Sequence, residues 1–348
     1  MATFYPVHIK EIRQETANAV SVVFDIPEDL NSKFHFTAGQ YITLQKKING
    51  KEVRRAYSIC TSPKDNEIRV AIKAVENGTF SVYATTQLKV NDPIEVSAPE
   101  GRFLLDSEAN KNYIGFAAGS GITPLLSMVK TVLSAELSSN FTLVYGNRSV
   151  VDTIFYKELN SLKESYPERF KLHYIFSRED VKNELRGRID QNVTNYFVKN
   201  MYKETAFDAA FLCGPEEMIH QVSDTLERAK IKKENIHFEL FTAATDETTT
   251  SKIKEGTTEV TVLLDDEETN FTMKQTDDIL SASLRNNIDA PYSCQGGVCS
   301  SCLGKITTGK AVMVKNSILT DSEIEEGFVL TCQAHPTTPE ISIDFDDV

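Results

Sequence analysis

The chain has 348 residues, 41% of them hydrophobic and 25% charged; this is enough apolar content for packed cores and too much for a disordered polymer. A net charge of −13 argues against nucleic acid as the main partner, and no apolar run approaches the ~18–20 residues of a membrane span. The opening "MATFYPVHIKEIRQET" has no basic segment followed by an apolar one, so no export signal is expected and the expected compartment is the cytoplasm.

At about 100–200 residues per domain, two or three domains are expected. From residue 4 to about 103, "YPVHIKEIRQET", "AVSVVFDIP", "GQYITLQ", "RRAYSICT", "EIRVAIKAV" and "DPIEVSAPEG" alternate or run β-branched, with Gly, Pro, Asn and Asp between them. Many short, punctuated strands suggest an antiparallel β-barrel. "RAYS" (Arg55, Ala56, Tyr57, Ser58) falls on one of them. Arg55 can pair with a phosphate, Tyr57 can stack on an aromatic ring and Ser58 can hydrogen-bond a ring nitrogen; ordinary strand-surface residues are the other reading. "GTFS" (Gly78, Thr79, Phe80, Ser81) precedes a helical turn whose N–H groups suit a pyrophosphate, or is simply a glycine turn.

The rhythm changes near residue 110. "NYIGFAAGSGITP" reads as an apolar strand, a glycine turn and a helix with Ile122, Leu125, Leu126, Val129 and Leu133 at helical spacing. "FTLVYGNR", "FKLHYIFSRE", "AAFLCGP" and "NIHFELF" read as strands, and "DTIFYKELNSLKESY" and "PEEMIHQVSDTLERAKI" as helices. This alternation predicts a parallel sheet with right-handed crossovers. Gly119, Ser120, Gly121 and Thr123 in the glycine turn let backbone approach a phosphate at a helix N-terminus, although the full dinucleotide fingerprint is absent. Arg148, Ser177 and Arg178 follow strands, where arginine can take a 2′-phosphate or be merely solvated. Cys213, Gly214 and Pro215 end a strand where α/β sheets bind ligands; a buried core thiol is the other reading for Cys213, and Cys60 is expected in the core.

Residues 242–258 are Thr-rich and charged and read as a linker. Beyond it, a compact α+β unit is expected, with a hairpin in "EVTVLLDDEETNFTMKQ" and a helix in "DDILSASLRNN". Residues 258–348 carry 16 acids and 5 bases, whereas the preceding 257 are nearly neutral at −2. The acidic end either serves solubility or steers docking to a basic partner or to the chain's own other domains. It also holds Cys294, Cys299, Cys302 and, after 29 intervening residues, Cys332. This C-x4-C-x2-C…C spacing is that of a plant-type [2Fe-2S] cluster with four thiolates on two irons. Zinc is the main rival, but zinc motifs usually space four cysteines as two pairs; a disulfide is disfavoured by the expected compartment.

In order, "RAYS", "GTFS", "APEGRF", "AAGSGITP", "YGNR", "FSRE", "CGPEEM" and "CQGGVCSSC" resemble the ferredoxin–NADP reductase superfamily fused to a C-terminal plant-type ferredoxin domain. The resemblance spans nearly the whole chain. It implies a multidomain, β-grasp-ended fold: an FAD-binding β-barrel (1–105), an NADP-binding α/β domain (106–241), a linker (242–258) and a ferredoxin domain (259–348). It implies FAD, NADPH and a [2Fe-2S] cluster, with electrons leaving to the oxygenase component of a multicomponent system. Arg55, Tyr57 and Ser58 would hold flavin, and Gly78 to Ser81 would face its pyrophosphate. Gly119 to Thr123 and Cys213 to Pro215 would meet the nicotinamide nucleotide, while Arg148, Ser177 and Arg178 would favour NADPH. Glu239 and Phe241 would lie beside the flavin ring, with Ser58, Cys213 and Glu239 shaping the hydride-transfer pocket. Another acceptor, such as a hydroxylase or desaturase, is a second reading. An electron carrier or redox sensor with a vestigial flavin domain is a third.

Overall fold

The computed structural model describes residues 3–106, 108–135, 138–241, 253 and 255–348. Its first sheet contains β1 (Phe4–Thr16), β2 (Ala19–Asp25), β3 (Tyr41–Ile48), β4 (Lys51–Ser58), β5 (Arg69–Lys73) and β6 (Pro93–Ser97), in the order β4-β3-β6-β1-β2-β5. A bridge between Ile59 and Val70 joins the two ends, so the sheet closes into the expected barrel. Register shifts at Ile9/Glu11 and Gln14/Thr16 in β1 add the bend and twist that closure needs. Val7, Ile9, Val22, Ile42, Leu44, Val70, Ile72 and Val96 fill the interior, and α1 (Thr79–Thr86) adds Phe80 and Ala84 to the same core. A 3₁₀ turn at Glu28–Phe34 lies where no element was expected.

The second sheet is wholly parallel. It comprises β7 (Asn112–Ala118), β8 (Asn140–Asn147), β9 (Phe170–Phe176), β10 (Leu185–Arg186), β11 (Ala209–Cys213) and β12 (Ile236–Glu239), ordered β10-β9-β8-β7-β11-β12. Helices α2 (Ile122–Ser134), α3 (Tyr156–Ser165), α4 (Gln191–Asn195) and α5 (Glu216–Arg228) connect it. The α3 helix starts four residues later than its sequence suggests, because Phe155 before it takes a left-handed conformation at φ 60. Leu185–Arg186 and Gln191–Asn195 were not foreseen; the first is two residues long and the second is mostly polar.

The third sheet is mixed. It contains β13 (Thr257–Leu264), β14 (Glu267–Lys274), β15 (Leu303–Thr308), β17 (Phe328–Leu330) and β19 (Glu340–Asp344), ordered β14-β13-β19-β15-β17; β16 (Ala311–Met313) and β18 (Ala334–Pro336) pair separately. Helix α6 (Ile279–Arg285) places Ile279, Leu280 and Ala282 in this core, and α7 (Asp321–Glu325) is a short capped turn. Left-handed Asp265 and Asp266 make the hairpin turn, and both of their N–H groups donate to the Asp346 carboxylate.

By packing, residues 4–53 with 57–241 form one compact unit, and a second is made chiefly of the described residues beyond 241. Most of the expected linker, 242–252 and 254, lies outside the described residues; strand β13 begins at Thr257, just inside its expected end. Among the described residues no helix is long and apolar enough to cross a membrane.

Candidate functional site

Strands β7 and β11 lie side by side, with Ala117 opposite Cys213. The chain leaves β7 toward β8 and β9 on one flank and returns to β11 on the other, so the sheet's switch point lies between β7 and β11. Ligands of open α/β sheets bind outside the strand C-termini at such a point. There the two sequence-marked turns touch. A Cβ on Gly121 would lie 2.1 Å from the Cys213 carbonyl oxygen, and one on Gly214 would lie 2.6 Å from Met218 Cε. Gly119 takes φ 57, and the Tyr145 hydroxyl donates to its carbonyl at 2.9 Å. Thr123 is buried and donates to the Ser120 carbonyl at 3.1 Å, so its hydroxyl closes the turn. Pro215 is exposed at the start of α5.

Beside this crevice the fold gathers Ser58, Cys213 and Glu239 from three different strands. Cys213 and Glu239 are register partners on β11 and β12. Ser58 Oγ donates to Glu239 Oε2 at 3.1 Å, and both residues are buried. Burial pushes the Glu239 carboxyl up to about 8, opposed by the Ser58 hydrogen bond. At neutral pH the group is therefore mostly protonated. Burial, then the nearby Glu239, push the Cys213 thiol well above its usual range, so it stays a neutral thiol rather than a nucleophile. Phe241, two residues beyond Glu239, is 38% exposed.

On the barrel, Arg55, Ala56 and Tyr57 are half-buried. Arg55 Nη1 donates to the Arg54 carbonyl at 2.6 Å, and the Tyr57 ring lies 5.8 Å from that of Phe80. Gly78 precedes α1; a Cβ there would meet Ser81 Oγ at 2.4 Å. Ser81 Oγ accepts the Val75 N–H at 3.1 Å, and Phe80 is core. The "GTFS" segment therefore offers an anion its first-turn N–H groups, at exposed Thr79 and at Phe80, whereas the Ser81 hydroxyl is turned onto Val75.

Three cations lie at strand ends: Arg148 after β8, Arg178 after β9 and Lys73 at the end of β5. Arg148 and Arg178 are exposed, and the Arg178 N–H donates to the Arg148 carbonyl at 2.9 Å. Ser177 Oγ donates to the Asn147 carbonyl at 3.3 Å. The third, Lys73, was missed by sequence reasoning. It ends β5, and its Nζ lies 3.9 Å from where a Gly119 Cβ would be. Burial, then Arg148, depress its pKa. A lone lysine at a strand end carries no sequence signal; only the topology brings it to the turn.

In the third sheet's unit the four clustered cysteines form two pairs. Cys294 Sγ and Cys299 Sγ are 3.0 Å apart, and Cys302 interacts with Cys332. Gln295 and Gly297 are left-handed, at φ 52 and 71, whereas Gly296 is not. The Gly296 N–H donates to Cys294 Sγ at 3.3 Å. The Cys299 thiol, followed by N–H groups of Gly296, Val298 and Cys299, pulls the Cys294 thiol down to about 6 against burial. Among the described residues no three potential ligands converge as for one ion. Two pairs of soft sulfur donors fit two irons better than a single tetrahedral zinc.

Family models match three successive segments: an oxidoreductase FAD-binding domain at residues 6–104, an oxidoreductase NAD-binding domain at 116–224, and a 2Fe-2S iron-sulfur cluster binding domain at 262–337. The chain is 37% identical to one of the subunits of the 1,2-phenylacetyl-CoA epoxidase of Escherichia coli, over 99% of both chains. It is 30% identical to the ferredoxin reductase component of 3-ketosteroid-9-alpha-monooxygenase from Rhodococcus rhodochrous, over 97% of this chain and 95% of that one. Phthalate dioxygenase reductase shares the fold, with a TM-score of 0.64 at 24% identity over 98% of each chain.

Proposed function

Since the chain belongs to the ferredoxin–NADP reductase superfamily with a C-terminal 2Fe-2S ferredoxin domain, we propose that it draws electrons from NADPH and passes them to the oxygenase component of a phenylacetyl-CoA epoxidase. It is an NAD(P)H-dependent oxidoreductase that delivers electrons to an oxygenase. When bound, the nicotinamide supplies a hydride, the flavin converts paired electrons to single ones, and the cluster carries one at a time.

The chain's own residues make that sequence workable. Arg55 and the first-turn N–H groups of α1 would hold flavin phosphates, while Tyr57 would offer its ring to the flavin. The glycine turn and Cys213–Pro215 would seat the nicotinamide half at the switch point. Ser58, hydrogen-bonded to Glu239, would present a hydroxyl to the reacting edge. A neutral Cys213 and a largely protonated Glu239 would leave little charge beside a bound nicotinamide. Cys294, Cys299, Cys302 and Cys332 would hold the cluster. Arg148, Ser177 and Arg178 would prefer the 2′-phosphate of NADPH, with Lys73 on the backbone phosphates. The reading is carried by the Ser58–Glu239–Cys213 group lying next to the touching glycine turns. Full-length 37% identity to the epoxidase relative supports the partner. A cytoplasmic address fits the reduced thiols that such a cluster needs.

The test is reconstitution. The purified chain, NADPH and a purified epoxidase oxygenase component should consume NADPH in a phenylacetyl-CoA-dependent way. Rapid reduction of the chain by NADPH with no transfer to that oxygenase, but with transfer to a different one, would reject the partner.

A further inference from the structure

Charge crosses the seam between the barrel and the α/β half, with its arginine buried and its carboxylate and lysine partly so. Arg69, the first residue of β5, is 3% exposed. Its Nη2 donates to both carboxylate oxygens of Glu158, at 2.9 and 2.8 Å. Glu158 lies in the first turn of α3, and its Oε1 also receives Lys130 Nζ from α2 at 2.5 Å. The Arg69 guanidinium sits 5.1 Å from the ring centroid of Phe155. That residue holds φ 60 and ψ 23, a left-handed conformation disfavoured for an L-residue. The Arg69 Nε is buried with no hydrogen-bond partner. Alongside, Ser127 of α2 donates to the Thr61 carbonyl at 2.6 Å. An exposed ion pair would contribute little, but removing one partner here would leave an uncompensated buried charge.

These contacts lead to the nucleotide turn. Phe155 follows Ile154, whose carbonyl shares the Tyr145 hydroxyl with the Gly119 carbonyl, at 3.4 and 2.9 Å. At the opposite end of β5, Lys73 approaches Gly119 directly. One five-residue strand thus meets the α/β half at both ends: Arg69 holds Glu158 of α3 through two hydrogen bonds, and Lys73 lies beside the Gly119 turn.

We propose that β5 is a two-ended clamp that sets the register of the Gly119–Gly121 turn against Ser58, with Arg69 and Glu158 as positioning residues for hydride transfer; the inference rests on the hydride-transfer reading above. Neither residue belongs to the flavin, nucleotide or cluster machinery. They act through geometry, to which the reaction is acutely sensitive: a displacement of ~1 Å can cost about a hundredfold in rate.

The experiment uses the full-length holoprotein and stopped-flow reduction of its flavin at saturating NADPH and saturating 4-deuterated NADPH. Glu158→Ala leaves the buried Arg69 without its carboxylate, while Lys130 keeps Asp65 at 3.8 Å. It should slow flavin reduction about tenfold or more and change the deuterium isotope effect, with FAD content unchanged and nucleotide Kd within about threefold. Glu158→Gln keeps an acceptor oxygen without the charge and should fall between. A variant with wild-type FAD content, rate and isotope effect, even if its Tm falls, makes the pair merely structural and overturns the clamp. Should Glu158→Ala not fold, Glu158→Gln and Arg69→Lys decide by the same criteria. A wild-type protein that neither NADPH nor NADH reduces would instead defeat the hydride-transfer reading, and the clamp with it.

Discussion

Glu239 is held between burial, which opposes its charge, and one hydroxyl donor, which favours it. Burial wins, moving the carboxyl from 4.5 to about 8. Between those values the native state keeps a proton that the unfolded chain has released, so this residue's contribution to stability falls as pH rises from about 4.5 through about 8 and is level beyond. Glu239→Gln removes that penalty. Its Tm should exceed the wild-type value by several degrees at pH 9 and converge with it near pH 4; a constant difference across that range would show that Glu239 is ionised in the fold. Gly121 yields a second expectation. A Cβ would sit 2.1 Å from the Cys213 carbonyl, so Gly121→Ala must push the two turns apart. It should raise the KM for NADPH at least tenfold while costing about 1–3 kcal/mol in urea unfolding; unchanged KM would contradict the contact. Glycines and cysteines were the legible residues, because close approach and thiolate ligation restrict residue type. The roles of Ser81 and Thr123 were not legible, since a hydroxyl turned onto its own backbone reads the same as one offered to a ligand.

At the scale of the element, the cysteine loop and the strand ends carry separate functions that mutation should separate. Cys302→Ala removes one of the paired thiols and should abolish reduction of a one-electron protein acceptor such as cytochrome c, while ferricyanide reduction, which can draw on the flavin, stays within about twofold. Equal loss of both would place the cluster before the flavin. At the ends of β8 and β9, the double change Arg148→Ala/Arg178→Ala should raise the KM for NADPH about tenfold or more and leave that for NADH nearly unchanged; parallel changes would exclude 2′-phosphate recognition. Strands were well marked in the sequence because β-branched runs between Gly, Pro and Asn have few other readings. Helix α3 was misplaced at its start, since the apolar Ile154 and Phe155 fit a helical pattern although Phe155 is left-handed. The element at Leu185–Arg186 went unseen because it is only two residues long, and that at Gln191–Asn195 because it is short and polar.

Across the whole molecule, domain order was the most legible feature, because each domain carries its own punctuation and motif. The juxtaposition of Ser58 with Glu239, 181 positions apart, and of Lys73 with Gly119 could not be read by spacing; long-range packing alone creates them. The charge asymmetry also belongs to this scale. With 16 acids and 5 bases beyond residue 257, docking to a basic oxygenase surface should be electrostatically steered. Raising ionic strength from about 0.05 to about 0.3 M should slow oxygenase reduction severalfold through a weaker association rate, with flavin reduction by NADPH much less affected. Salt-independent transfer would reduce the acidic end to a solubility device.

The most direct test of the account is the state of the four thiols in the reduced protein. Anaerobically purified protein, treated with NADPH and then dithionite, should contain two irons and two inorganic sulfides per chain and give the rhombic electron paramagnetic resonance signal of one reduced [2Fe-2S] cluster; Cys302→Ala should lack that signal. Absence of inorganic sulfide together with one zinc per chain would contradict the account.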